Sequence, residues 1–430
     1  MKVFRRFTVL IVFPVLIFLS CEKEADNQFP VIEITSPVLN QHFEIPDTIH
    51  IEADISDDQG LTKIKVGLVN DQFASVLTSY YLTPEGSNYH LSMDFPITES
   101  SLETGDYYLL VRAEDETDFK NEYIKIHLTA IPLEFEKLIV LTQLSSYLIS
   151  VSSLSMDGQI DSLLEVNTDY SSSEVDSKNR MLYIAGINLF DITTINLDEN
   201  EIEWQRTAFP PLPMHAPGCT CFDEYLYVSY ATNYIYGFRY NGSMVFNTTI
   251  EENKLPSRIM KYREYLLADL RSKSGGFNYI ATYYITTGSE RQRMQTSYSV
   301  VDFHDAGEKN VLVIANNNEG GLIGLYNPNE NFQTLLLELP EEIIFSMKIT
   351  DEEYMIGTSI ATYQINLTTL SLNEVMNGMV FTRMKYEPLS NTMYAAGDKE
   401  LYVISYPEMQ IQNTVLFSDS ILNLHLFYNR

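Results

Sequence analysis

The chain has 430 residues with 58 acidic and 28 basic side chains, and its formal net charge is −30. This length exceeds the usual size of a single hydrophobic core, which predicts at least two domains, and the negative field excludes nucleic acid as an expected partner. The 29 Tyr and 22 Phe against only 19 Gly favour an all-β chain.

The N-terminus predicts a secretory signal peptide over residues 1–20. A basic start is followed by an apolar core at Phe7–Leu19, which is too short to cross the ~30 Å of hydrocarbon in a bilayer. The small residue and the Cys21 that follow resemble the lipobox of bacterial lipoproteins, although Phe18 stands where Leu is usual. The resemblance implies that cleavage leaves a diacylglyceryl-modified N-terminal Cys21. The alternative is an ordinary secretory peptide with a cysteine at its boundary.

Residues 21–28 predict a short polar tether without hydrophobic periodicity. Its charged cluster resembles the signal that sends lipoproteins of Bacteroidota to the cell surface. The resemblance implies an outer-membrane protein held by its lipid and facing the cell surface, with the periplasmic face as the alternative. Because the acidic chain opposes docking on anionic lipid, the lipid is the expected membrane contact.

Residues 29–131 predict an immunoglobulin-type β-sandwich. The apolar residues Ile49, Ile51, Ala53 and Ile55 alternate with polar ones, so they should share one buried face. Short strands at this spacing are typical of a sandwich. The turn at Ala113–Asp115 resembles the one before the last strand of bacterial Ig-like and cadherin-like repeats. This unit is expected to serve as a spacer.

A second acidic turn, at Asp57 and Asp58, resembles the Asp-rich turn in the middle of the same repeats. Its carboxylates are possible calcium ligands, since hard cations bind six or more oxygens. The alternative is that Asp closes the turn by accepting bonds from its own backbone. One turn supplies few ligands, which favours the alternative.

Residues 132–430 contain a repeated strand phrase whose copies begin 39 to 46 residues apart. This spacing fits four short strands with their turns, as in a propeller blade. The copies are Met181–Gly186, Tyr225–Ser229, Tyr265–Ala268, Val311–Ala315, Tyr354–Gly357 and Met393–Gly397. Asn241–Gly242 in one repeat and Asp157–Gly158 in the opening one predict hairpin turns. The pattern resembles seven-bladed propellers of the WD-repeat and YVTN-like superfamily, which implies a shape more than an activity.

The opening repeat has no innermost strand ahead of it, whereas Ile421–Phe427 is an extra strand after the seventh repeat. If this C-terminal strand completes the first blade, every strand edge of the ring is paired. The predicted fold is therefore all-β, an Ig-like sandwich followed by a seven-bladed propeller closed by its C-terminal strand.

One local cluster offers metal ligands. By repeat position it lies on the innermost strand of the third blade, and His215, Cys219 and Cys221 share parity, so an extended strand would turn all three to one face. Two thiolates and an imidazole suit copper or zinc. The alternatives are buried structural thiols, a disulfide between the two cysteines, and a strand broken at Pro217 and Gly218.

The remaining histidines, among them His304 and His425, and the carboxylates are dispersed, and no linear catalytic motif is present. The expected function is non-catalytic binding of a polysaccharide or protein partner by the propeller. The alternative is an extracytoplasmic lyase, hydrolase or oxidoreductase with its site at the mouth of the channel. A cluster of acids, His and Arg within hydrogen-bond reach on one face of the propeller would favour the enzyme.

Overall fold

The computed structural model describes residues 28–155, 158–207, 218–222 and 225–430. The regular elements in these ranges are strands, and no helix long and apolar enough to span a membrane occurs there. The chain divides into two compact units between Pro132 and Leu133, one residue from the expected boundary. The signal peptide and Cys21 lie outside the described residues.

The first unit consists of two facing sheets. Its strands are β1 (Val31–Ser36), β2 (Gln41–Glu44), β3 (Asp47–Ser56), β4 (Lys63–Val69), β5 (Tyr80–Leu82), β6 (Asn88–Ile97), β7 (Gly105–Glu114) and β8 (Phe119–Thr129). One sheet has the order β1-β3-β6 and the other the order β2-β8-β7-β4-β5. The strands run antiparallel except for the pair of β2 and β8. This is the Ig-like sandwich that the sequence predicts.

The alternation of β3 determines the core of this sandwich. Ile49, Ile51 and Ala53 are 0% exposed, and Ile55 is 2% exposed, while the residues between them face outward. They pack against apolar side chains of the second sheet, among them Val111 of β7. Burying one such side chain contributes roughly 1.5–3 kcal/mol, so this face fixes the register of the strand. The predicted burial is confirmed.

The second unit is built from four-stranded antiparallel sheets. Its first eleven strands in chain order are β9 (Phe135–Ser145), β10 (Leu148–Leu154), β11 (Ile160–Val166), β12 (Ser172–Asp176), β13 (Met181–Ala185), β14 (Ile192–Asn196), β15 (Glu201–Arg206), β16 (Gly218–Phe222), β17 (Tyr225–Tyr230), β18 (Tyr234–Arg239) and β19 (Met244–Thr249). The strands that follow are β20 (Lys254–Tyr262), β21 (Tyr265–Ser272), β22 (Asn278–Tyr284), β23 (Glu290–Thr296), β24 (Ser299–Asp305), β25 (Val311–Asn316), β26 (Gly321–Asn327), β27 (Phe332–Leu339), β28 (Ile343–Lys348), β29 (Glu353–Thr358), β30 (Ala361–Asn366), β31 (Ser371–Asn377), β32 (Arg383–Glu387), β33 (Thr392–Ala396), β34 (Glu400–Ser405), β35 (Gln410–Leu416) and β36 (Ile421–Tyr428).

These strands form seven four-stranded sheets among the described residues. Six of the sheets use four consecutive strands, beginning with β12, β16, β20, β24, β28 and β32. Each of these first strands contacts the first strand of the next sheet, and β36 contacts both β32 and β12. The seven strands therefore form a closed inner ring, which is the arrangement of a β-propeller.

The C-terminal strand closes the ring. β36 pairs antiparallel with β9, so that the first sheet has the order β11-β10-β9-β36. In this pairing Leu424 lies opposite Val140, and Leu426 lies opposite Leu138. The predicted closure by the C-terminal strand is confirmed. It joins the two ends of the unit, which removes the open edge that β9 would otherwise present.

Local turn chemistry also follows the sequence. Gly242 adopts a φ of +79° in the hairpin between β18 and β19, and its amide donates to the carbonyl of Arg239. Gly158, between β10 and β11, has a φ of +84°, while its predicted turn partner Asp157 lies outside the described residues. These positive φ values are accessible to glycine without a steric cost.

The closure predicts a large effect of one core substitution. Leu424 is 0% exposed and packs with Leu138 and Val140. Leu424→Ala should lower the free energy of unfolding by about 2–5 kcal/mol, because it removes buried methyl groups from the joint of the ring. Leu416 on β35 is 71% exposed, so Leu416→Ala is the matched control and should change stability by less than about 0.5 kcal/mol. Denaturant unfolding of both variants measures the difference, and equal midpoints would contradict this account of the closure.

Candidate functional site: the central channel

The inner ring surrounds a cavity of about 270 Å³. Residues from all seven inner strands line it, together with Tyr170 and Ser171, which lead into β12. Its charged lining residues are Glu174, Arg258, Asp302, Arg383 and Lys385. The side chain of Asp302 retains 45% of its exposure, so solvent reaches the cavity. Ligand sites are usually concave, and the polar groups in them fix the orientation of the ligand.

β-Bulges aim three residues into the cavity. The pairing register shifts in β20 between Pro256 and Ile259, and it shifts by one residue in β24 and in β28. The extra residues include Arg258, Val301 and Ile344, and all three line the cavity. A bulge leaves a residue outside the ladder and redirects its side chain. Simple alternation along these strands therefore fails to identify the lining.

A carboxylate, a histidine and a serine meet on one side of the channel. Ser346 Oγ lies 2.7 Å from His304 Nε2 and donates to Asp302 Oδ2 at 3.4 Å. Asp302 Oδ2 also lies 3.7 Å from the same ring nitrogen. Burial lowers the pKa of His304, so the imidazole is neutral at neutral pH.

This group differs from a serine nucleophile triad. In a triad the carboxylate holds Nδ1, which leaves Nε2 to accept the serine proton. Here Asp302 Oδ2 lies on the same Nε2 side of His304 as Ser346 Oγ, and the contact of Ser346 with His304 at 2.7 Å is shorter than its contact with Asp302 at 3.4 Å. Asp302 is therefore not placed to hold the imidazole through Nδ1 as the carboxylate of a triad does.

A second histidine belongs to a satisfied structural network. His425 is 3% exposed, and its Nε2 lies 2.7 Å from Ser173 Oγ. Ser173 also contacts the hydroxyl of Tyr170 at 3.1 Å and accepts from Asn423 Nδ2 at 3.1 Å. Burial lowers the pKa of His425 well below its ordinary value. The network therefore holds β36 against β12 with neutral groups.

Desolvation dominates the electrostatics of the channel carboxylate on β12. It raises the pKa of Glu174, against the nearby charge of Lys385, and the negative charges of Asp302 and Asp176 act in the same direction as burial. A carboxylate with these neighbours loses its charge more readily than an exposed one. Protonation of Glu174 therefore reduces the negative charge of the cavity at a higher pH than it would for an exposed glutamate.

The two cysteines lie on an inner strand, as their repeat position predicts. Cys219 and Cys221 are free thiols on β16, and both pack against a core cluster that includes Tyr183. Burial raises the pKa of Cys219 to about 12, and it also raises the pKa of Cys221, with the charge of Glu174 as the second cause. A protonated thiol is a poor metal ligand.

Two of the three proposed copper or zinc ligands, Cys219 and Cys221, lie in the described part of the chain. His215 lies outside the described residues. Within the described ranges no group of three or more His, Cys, Asp or Glu is placed to hold a metal ion. Cys219 instead accepts a hydrogen bond from Ser172 Oγ at 3.4 Å. These contacts favour the interpretation as structural thiols.

The possible calcium ligands of the Ig-like unit close a turn. Asp57 Oδ1 accepts from the backbone amides of Gln59 at 2.9 Å and Gly60 at 2.8 Å. Asp58 accepts from the side chain of Gln59 at 3.5 Å. Both interactions are those of an Asp-rich turn that bonds its own backbone and neighbours. The geometry matches the turn alternative for Asp57 and Asp58.

Sequence reasoning missed the charged lining of the channel. The five residues come from four different repeats, with no linear motif to connect them. It also treated His304 and His425 as dispersed, whereas the ring brings both onto inner strands. The sequence signal that could have identified the lining is a polar residue near the start of each repeat. That signal can be interpreted only when the first strands of the repeats are known to form a ring.

The two units were compared with known proteins. Residues 30–111 match the family model of a bacterial Ig domain. A search of curated proteins gives no match. Among solved structures, a quinonprotein alcohol dehydrogenase-like protein from Bacteroides thetaiotaomicron aligns with a TM-score of 0.50 and 11% identity, over 92% of this chain and 99% of that one. BamB from Moraxella catarrhalis aligns with a TM-score of 0.43 and 9% identity, over 67% of this chain and 92% of that one. At these identities the likeness concerns the fold alone.

The thiol environment predicts slow chemical modification. At pH 8 a thiol with a pKa of about 12 is thiolate in about one molecule in ten thousand, against about a quarter at the ordinary pKa of 8.5. Iodoacetamide should therefore label Cys219 in folded residues 22–430 at least about a hundredfold more slowly than in the denatured chain. The rate should rise steadily with pH. Mass spectrometry of the labelled peptides measures it, and rapid labelling of the folded protein at pH 8 would contradict the described environment.

Proposed function

We propose that this protein is a non-catalytic, lipid-anchored component of the bacterial cell envelope that binds a polysaccharide or a protein partner. The propeller channel is the binding site, the Ig-like unit is the spacer, and Cys21 carries the lipid. The single observation that carries the binding proposal is the polar cavity to which all seven inner strands contribute. Its lining combines several charged and hydroxyl side chains with access to solvent, which suits recognition of a polar ligand.

Hydrogen bonding supports binding over catalysis. Asp302 lies on the Nε2 side of His304, so it does not orient the imidazole through Nδ1 as a triad requires. The thiols of Cys219 and Cys221 are held protonated, since burial raises the pKa of both. The nucleophilic side chains of the described channel therefore lack activation, which a covalent mechanism requires.

An enzyme is the second candidate, favoured by one observation. Ser346 lies within hydrogen-bond distance of both His304 and Asp302, and Ser346 and Asp302 line the cavity beside its cations. Lyases and hydrolases combine acids, histidine and arginine in this way, and hydrogen bonds in unliganded sites often rearrange when substrate binds. This candidate requires the tautomer of His304 in which Nε2 accepts the proton of Ser346.

The envelope location rests on the sequence. Cys21 follows an apolar core of signal-peptide length, and its surroundings resemble a lipobox. Acyl chains buried in lipid contribute about 0.8 kcal/mol for each CH₂ group, so several chains on one cysteine hold an otherwise soluble protein. We further propose that the charged tether directs the anchored protein to the cell surface.

The binding proposal predicts retention of a glycan without its cleavage. Recombinant residues 22–430 should bind members of a polysaccharide array, and chromatography should recover the bound glycan intact. Ser346→Ala, like the native protein, should leave a glycan hit uncleaved. Cleavage by the native protein that Ser346→Ala abolishes would establish the enzyme instead. A silent array would exclude the polysaccharide version and leave a protein partner to be sought.

The anchor predicts membrane release by one substitution. Cys21→Ala removes the lipid acceptor, so the variant should move from the membrane pellet to the supernatant or remain as the unprocessed precursor. Ser20→Ala keeps a small residue before Cys21 and is the matched control, which should still pellet. Fractionation with immunoblotting measures the distribution. Mature Cys21→Ala protein that still pellets with the outer membrane would contradict lipidation.

A further inference from the structure

Three cations face each other across the channel. Arg258 lies on β20, while Arg383 and Lys385 lie on β32, and all three line the cavity. In the inner ring β24 and β28 separate β20 from β32 on one side, and β16, β12 and β36 separate them on the other. The two strands are therefore on opposite sides of a cavity of about 270 Å³.

These cations lack the carboxylate partners that other arginines of the same unit have. Arg271 pairs with Asp269 at 2.8 Å, and Arg206 pairs with Asp191 at 3.2 Å. Within the described ranges, by contrast, no carboxylate lies within 4 Å of the charged nitrogens of Arg258, Arg383 or Lys385.

The donors of these cations are also largely available. Arg383 donates to the carbonyl of Thr382 at 2.6 Å, and a guanidinium carries five N–H donors in all. Arg383 and Lys385 are partly buried, whereas Arg258 is exposed. A partly buried cation without a counter-charge carries a desolvation cost that an anion in the cavity would offset.

The charge of the cavity lining is opposite in sign to the net charge of the whole chain. The chain has twice as many acidic as basic residues, yet the described lining contains three cations and two carboxylates. Burial and the nearby carboxylates also favour the neutral form of Glu174. A cleft with low-dielectric walls concentrates the field of its lining charges. The channel is therefore a local positive site in an acidic protein.

We propose that the channel binds an anionic group of the ligand, a carboxylate or a sulfate, between Arg258 on one side and Arg383 with Lys385 on the other. This inference rests on the proposed binding function and assigns its ligand to acidic sugars. Arginine binds a carboxylate or sulfate through two parallel N–H donors, which a neutral sugar cannot match. At about 270 Å³ the cavity is slightly smaller than typical ligand sites, which measure roughly 300–1,000 Å³. It therefore accepts one acidic residue of a longer glycan.

The test is calorimetric titration of recombinant residues 22–430 with D-glucuronate, D-glucose and inorganic sulfate. We expect D-glucuronate to bind, D-glucose to bind at least about tenfold more weakly, and added salt to weaken the binding of D-glucuronate. Sulfate that binds as tightly as D-glucuronate would mean that the site recognises the anionic group alone. Tighter binding of D-glucuronate would assign the site to an acidic sugar. Both results support an anion site.

Substitutions of the cations and of Asp302 should change the affinity for D-glucuronate in opposite directions. Arg383→Gln and Lys385→Gln should each weaken D-glucuronate binding by about tenfold or more, since each removes a charge-assisted hydrogen bond. Asp302→Asn should tighten it, because it removes a negative charge from the cavity. Arg239→Gln is the matched control, because Arg239 is exposed on the third strand of its sheet and outside the cavity lining. The affinity of the Arg239→Gln variant for D-glucuronate should equal that of the native protein. Thermal unfolding confirms that each variant is folded.

Three outcomes would overturn the inference. They are equal affinity for D-glucuronate and D-glucose, unchanged affinity in both cation variants, and no binding of either anion below about 10 mM. Failure of the proposed binding function is recognised by different results from failure of the anion site. A protein that binds neutral polysaccharides but no anion is still a binding protein without this site, whereas one that cleaves its glycan is an enzyme whether or not the cations hold the anionic group.

Discussion

The pairing of β36 with β9 is the constraint on which the second unit depends. It joins residues from the two ends of the unit into one sheet, with Leu424 opposite Val140. Without that pairing the first sheet would lack its inner strand, and the ring would have a gap facing β12. Because the channel is defined by a closed set of inner strands, its shape depends on this one long-range contact. Contacts of such sequence separation carry a high loop-closure cost, which the buried faces of the neighbouring sheets must offset.

Close approach of adjacent inner strands keeps the channel narrow. Ser229 Oγ donates to the carbonyls of Gly218 at 3.0 Å and Ser257 at 3.1 Å, and so ties β16 to β20. A Cβ atom on Gly218 would lie 2.4 Å from the carbonyl oxygen of Ser257, so only glycine allows this spacing. The narrow ring in turn brings side chains from opposite strands into one small cavity. Packing thus creates the electrostatic environment of the site.

Two kinds of charged group occur in this unit, and they differ in how they are compensated. Asp269 is 0% exposed and pairs with Arg271, yet burial still raises its pKa to about 6. It serves the packing of β21, where its counter-ion belongs to the same strand. The cations of the channel have no such partner among the described residues. Compensation within the fold indicates a structural role for Asp269, and the lack of a described carboxylate partner for the channel cations is the observation on which the proposed anion site rests.

The sequence by itself determined the local structure of this protein and its order along the chain. Alternation placed Ile49 and Ile51 in the sandwich core, Asn241–Gly242 specified a hairpin, and the repeat spacing indicated a propeller closed by its last strand. These features depend on neighbours within a few residues or on a count. The tertiary structure alone decided the site. Arg258 reaches the cavity through a bulge that breaks the alternation, and its opposing cations come from a repeat more than a hundred residues away. Local patterns carry no information about which strands meet across a ring, because that depends on how the whole ring closes.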